Sequence, residues 1–147
     1  MDRKNLFDAS VLEEVLERMS GISADTKPQW GKMDAAQMFA HCAEAQDVYN
    51  GKPLTVPFWM RLMRPVARGM LLSTKPFPKN SPTIDQFKMV DPEDFDRQRD
   101  RLLDSLRTMH ALGERTLKHP VMGHMSTEDI GWITYKHLDH HFRQFGV

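Results

Sequence analysis

Three of the chain's seven histidines, His137, His140 and His141, stand within five positions near its C-terminal end. Neutral imidazole is a common metal ligand, and two imidazoles four residues apart on a helix share one face, a turn apart. His137 and His141 have that spacing. Read as a helix from Thr127 to Phe145, the segment puts Ile130, Ile133, Thr134, Leu138, Phe142 and Phe145 on the same stripe. The apolar residues predict that this face is buried, so the two rings either find hydrogen-bond partners or share an ion. A third ring is available upstream. His41 falls in the inward stripe Met38, His41, Cys42, Ala45, Val48 and Tyr49 of an earlier helix, while Glu44 and Asp47 fall on its charged face. Two ligands one turn apart and a third from a facing helix would chelate one side of a divalent ion. Imidazole suits Zn, Ni, Cu or Fe(II), and three protein ligands leave a position open for substrate. An ion so held lowers the pKa of water or a thiol at that position.

Other assignments compete. His140 lies about 60° around the helix from His137, at ~100° per residue, so His137 with His140 is an alternative pair. His137 with His141 is preferred because His140 faces the helix edge beside Tyr135 and Lys136. His119 and His124 precede the final helix and could reach the mouth of such a site, although loop residues without chemistry are the simpler reading. Cys42 is next to His41 but about 100° around the helix, which predicts a buried thiol, not a Cys–His pair. Asp139, Glu44 and Gln144 are candidates to orient the imidazoles. The chain has no Gly-rich phosphate loop, GxSxG or CxxC motif.

The elements that must position these rings read as helices. Ser10 and Glu13 suggest a capping box opening a helix from about Ser10 to Ser20, ended by Gly21, with a start further back toward Leu6 as the alternative. Residues 21–32 read as a loop. Asp34 with Gln37 suggests a second box, opening a helix that ends before Gly51. Residues 51–90 read as one long, partly helical connection. In it PFWMRLMRPVARGMLL is amphipathic but is interrupted at Pro65 and weakened at Gly69. Its Phe58, Trp59, Leu62, Met63, Met70, Leu71 and Phe77 read most simply as packing over one side of the helices, or else as a substrate lid or dimer surface. Asp91-Pro92 suggests the start of a helix to Gly113, KHPVMGHM reads as a loop, and Ser126 with Asp129 caps the last helix. No stretch alternates at period two. The expected fold is all-α, a four-helix bundle whose second and third helices are joined by the long connection.

At 147 residues the chain suits a single domain, 1–147. Twenty basic and twenty acidic side chains balance, without the basic excess of a nucleic-acid binder. No apolar run approaches the ~20 residues of a membrane span, and the charged N-terminus is not followed by a signal-like apolar stretch. Cys42 is the only cysteine. A reducing, cytoplasmic setting with neither nucleic-acid nor membrane partners is expected.

HPVMGHMSTEDIGWITYKHLDHHFRQFGV resembles the ending of the DinB/YfiT-like superfamily in its H-P-x-x-G element, its capped final helix and its H-x-x-x-H-x-x-Q at His137, His141 and Gln144. WGKMDAAQMFAHCAEA resembles the segment that carries that family's first metal histidine, which places it at His41. The resemblance spans roughly residues 28–50 and 90–147. It implies an up-down-down-up bundle, a three-histidine site for Zn or Ni, and a homodimer. It also implies a small-molecule substrate, a low-molecular-weight thiol in some relatives and a hydrolase substrate in others. Residues 51–90 match nothing in the family.

Overall fold

The computed structural model describes residues 1–91 and 93–147. The fold is mostly helical. Its elements in order are α1 (Ala9–Ser20), α2 (Ala35–Tyr49), α3 (Phe58–Leu62), α4 (Arg64–Leu72), a 3-10 turn (Asp85–Phe87), α5 (Phe95–Leu112), β1 (Leu117–His119), β2 (Gly123–Met125) and α6 (Thr127–Gln144). The chain is therefore not all-α: β1 and β2 pair antiparallel, Leu117 opposite Met125 and His119 opposite Gly123. The three-residue strands are too short for alternation to register in the sequence. The turn between them explains the H-P-x-x-G element physically. His119 Nδ1 accepts the N–H groups of both Val121 and Met122 at 3.1 Å, Pro120 has no N–H to satisfy, and Gly123 takes φ 72°.

α2 is the central element. It packs closely along α5 and also against α6, which in turn packs on α1 and α4. Its start is the expected box, Asp34 accepting from Gln37 N and Gln37 returning a bond to Asp34 N. Gly51 follows at φ 110°. Contrary to the expected charged face, α2 is buried nearly all round: Glu44 is only 8% exposed. Its carboxylate is held by Lys52 at 2.7 Å and Arg101 at 2.6 Å, and Arg101 also bonds Asp47 at 2.7 Å. Cations from the following loop and from α5 thus replace the solvent that the sequence pattern assigned to this face.

Two helix starts differ from expectation. α1 begins at Ala9 after Asp8, so Ser10 lies inside the helix and not at its cap. An Asn5 turn feeds the chain in earlier, with Asp8 N bonded to Asn5 O at 2.9 Å. This N-terminal segment lies directly on α6 at Gly131, where a Cβ would come within 1.8 Å of Asn5 Oδ1. α5 begins at Phe95, capped by Asp94, whose side chain accepts from Arg97 N. The expected start at Asp91-Pro92 falls partly outside the described residues. α6 begins as expected, with Ser126 and Asp129 forming a full box.

The 51–90 connection breaks where Pro65 predicted, into α3 and α4. It covers the helices with only part of the apolar set expected to do so. Phe58, Trp59, Leu62, Met63, Val66 and Met70 face solvent, while Leu71 and Phe77 pack on the core. Polar bonds from the other face tie the segment down. Arg68 bonds the carbonyls of Met122 and His124 and the Asp129 carboxylate. Trp132 Nε1 donates to Leu72 O at 3.0 Å. Lys136 of α6 is 1% exposed and donates to the carbonyls of Met70, Leu71 and Ser73 at 3.3, 3.0 and 2.8 Å. A buried ammonium is costly unless fully bonded, and the C-terminal carbonyls of α4 provide that bonding. Among the described residues no helix is long and apolar enough to cross a membrane.

Candidate metal centre

His41 from α2 and His137 and His141 from α6 converge. One ring nitrogen from each lies within 4.8 Å of the others, and the ring centroids are 5.0, 4.8 and 4.8 Å apart. The i, i+4 pair comes from the buried stripe of α6, and α2 brings His41 to it through the Met38–Cys42 face. His41 and His141 are buried and His137 is partly exposed.

The hydrogen bonds fix two of the three tautomers. His41 Nδ1 is 2.8 Å from Phe87 O. A carbonyl only accepts, so Nδ1 carries the proton and Nε2 is left with a lone pair. His141 Nδ1 is 2.8 Å from Gln144 Oε1, and Gln144 Nε2 donates to Trp30 O at 2.7 Å. The Trp30 carbonyl thereby fixes which end of the amide faces His141, so Nδ1 of His141 is protonated and its Nε2 is free. His41 Nε2 is 3.0 Å from His137 Nε2. Without an ion, His137 must donate across this gap. With one, both lone pairs can share it. Given bonds of ~2.1 Å, nitrogens on a common ion are roughly 3.0 Å apart at a right angle and 3.4 Å in a tetrahedron, so the His41–His137 separation suits the right-angle case.

Burial keeps the rings neutral. It lowers the pKa of His41, and lowers that of His141 to about 3, with His41 adding to the effect. Burial, then the neighbouring His141 and His41, push His137 well below the ordinary range. Three neutral imidazoles, two with Nδ1–H groups held by acceptors, form a donor set suited to a divalent ion.

The competing residues fall outside. His140 does not join the cluster. Its ring packs edge-on to His141, Trp30 and Phe77 at 5.1, 5.9 and 5.8 Å. His119 stacks on Tyr49, His124 is exposed on β2, and His110 Nε2 bonds Leu6 O. Cys42 is fully buried, and burial pushes its thiol pKa up. Of the three candidate orienting residues only Gln144 serves. Asp139 is taken by Arg18 and Arg143, and Glu44 by Lys52 and Arg101. The role of the Phe87 carbonyl was not legible in the sequence, because a backbone acceptor 46 positions away carries no residue-type signal.

A mostly helical chain in which α2 turns one histidine and α6 two toward a common point defines the class: a helical protein with a candidate three-histidine metal centre. Residues 1–146 match the family described as protein of unknown function DUF1569, and the chain belongs to that family. No curated protein and no solved structure matches it.

Proposed function

We propose that this protein is a metal-dependent enzyme of the DinB/YfiT-like four-helix-bundle kind, in which α1, α2, α5 and α6 form the bundle. His41, His137 and His141 hold one divalent ion, Zn or Ni in the first instance. The observation that carries this reading is the pair of fixed tautomers: Phe87 O and Gln144 Oε1 take the Nδ1 protons, so His41 and His141 each have an unprotonated Nε2 able to ligate an ion. Such an ion supplies Lewis acidity at its open position, where a thiol or water loses its proton more readily. The chain's own part is to keep three imidazoles neutral, to orient them, and to restrict access to the side on which His137 is partly exposed.

Thiol transfer is favoured over hydrolysis by a specific observation. Glu44 and Asp139, the carboxylates expected nearest the site, are both committed to cations. Neither is free to act as a base toward water, whereas a thiol is already far more acidic than water before it meets the ion and needs such a base less. The substrate pair is therefore a low-molecular-weight thiol and an electrophile. The test is turnover of thiols with an electrophile panel by metal-loaded protein, chelator-treated protein and His137→Ala. Activity confined to the loaded wild type is expected. A loaded protein that turns over nothing, while still binding one ion tightly, would leave a metal-binding module.

A further inference from the structure

A second feature of the molecule lies away from the His41, His137 and His141 cluster. Between α3, α4 and the hairpin runs a groove of about 360 Å³. Its polar lining is Lys52, Arg61, Arg64, Lys118 and His119, with no carboxylate among the described residues that line it. The chain as a whole is charge-balanced, so a surface of one sign is a local arrangement. Lys52 is answered by Glu44 at 2.7 Å, and its place after the C-terminal end of α2 suits the helix dipole. Neither explanation covers the other three cations. Arg61, Arg64 and Lys118 come from α3, α4 and β1 and have no acidic partner among the described residues.

Two of the groups are held in place. Arg64 Nε donates to Pro120 O at 2.8 Å, which leaves the terminal nitrogens of its guanidinium without an acceptor among the described residues. His119 is 6% exposed, and its Nδ1 already accepts two backbone N–H groups. Its proton therefore sits on Nε2, which has no partner among the described residues. Burial, then the Arg64 charge, lower its pKa to about 4, so at neutral pH it is a fixed N–H donor.

We propose that this groove binds a phosphate group, presented by a small phosphate ester or by a lipid headgroup. Donors on separate elements suit a tetrahedral group with three terminal acceptor oxygens, whereas a planar carboxylate presents only two. Val48, Leu54 and Leu117 also line the groove and leave room for an apolar body beside the phosphate. The site does not depend on the metal centre. Val48 is seven residues beyond His41 on α2, about 10 Å along the axis at ~1.5 Å per residue.

The experiment is calorimetric titration of the full chain with inorganic phosphate and glycerol 3-phosphate at constant ionic strength. In parallel, the chain is sedimented with phosphatidylcholine vesicles with and without phosphatidic acid. Arg61 and Lys118 are exposed, so the double variant Arg61→Gln/Lys118→Gln should melt like wild type. It is expected to bind at least tenfold more weakly, while the charge-matched control Lys27→Gln/Lys75→Gln changes affinity less than twofold. Binding of the soluble ligands assigns a free phosphate ester. Binding of phosphatidic-acid vesicles alone, lost in the same double variant, assigns a headgroup. No binding in either arm, or an equal loss in the control, overturns the site.

Discussion

Gln144 can orient His141 only because its own amide cannot turn, its Nε2 being committed to Trp30 O. Removing such an oriented partner typically weakens a metal site 10–100-fold, so Gln144→Leu is expected to lower metal affinity by about that factor with helicity unchanged. Circular dichroism and competition with a chromogenic chelator would measure both. Gly31 belongs to the same device: it takes φ 83°, and a Cβ there would lie 2.5 Å from Gln144 Nε2. His137→Ala and His141→Ala should each lose most of the metal, and His140→Ala should keep it. Loss from His140→Ala equal to that from His137→Ala would make His140 a ligand. Cys42 should resist alkylation in the folded chain and react once it is unfolded, because burial raises its pKa and excludes reagent. At this scale the sequence was most informative where spacing carries the signal, as with the H-x-x-x-H-x-x-Q of α6. It was silent where a backbone carbonyl is the partner, as with Phe87.

Among the elements, α4 is the one held by chemistry more than by packing. Its outer face leaves Val66 and Met70 in solvent, and its last carbonyls are gathered by Lys136. Lys136→Met keeps much of the stem's volume but leaves three carbonyls without their donor. A loss of about 2 kcal/mol is expected from charge-assisted bonds of this kind, together with faster proteolytic cutting within residues 64–80. Unchanged cutting would mean that the segment is held by other contacts. The α2–α5 pairing rests in part on Arg101, which serves Glu44 and Asp47 together. α2 and α6 were legible end to end because their capping boxes and stripes agree. The hairpin and the start of α1 were not: three-residue strands show no period, and the Asn5 turn outcompetes Ser10. Nor could the pattern tell that the apolar residues of α3 face outward, since periodicity marks a face without saying what covers it.

For the molecule as a whole, acid is the condition that opposes the fold. His119 has a native pKa near 4 against an ordinary value of 6.5. Between those values the unfolded chain binds a proton that the native chain refuses, so stability falls as pH drops through that window. Burial alone would raise the Glu44 carboxyl, but bonds from Lys52, Arg101 and Gln86 outweigh it and hold its pKa low. Its contribution is present above the ordinary carboxylate range and is lost as pH falls through the lowered native value. Urea midpoints of the metal-free chain should therefore decline from pH 7 to 4. His119→Asn, whose Oδ1 can replace Nδ1 as acceptor, should make the decline shallower. An identical slope would remove His119 from the account.

The measurement that bears most directly on the central claim is elemental analysis of untagged protein, as purified and after incubation with Zn or Ni followed by desalting. One equivalent of divalent metal per chain, absent from His137→Ala and His141→Ala, is the result expected of the three-histidine centre. A chain that carries no metal and retains none after loading would contradict it, leaving three neighbouring histidines held by one another, Phe87 O and Gln144.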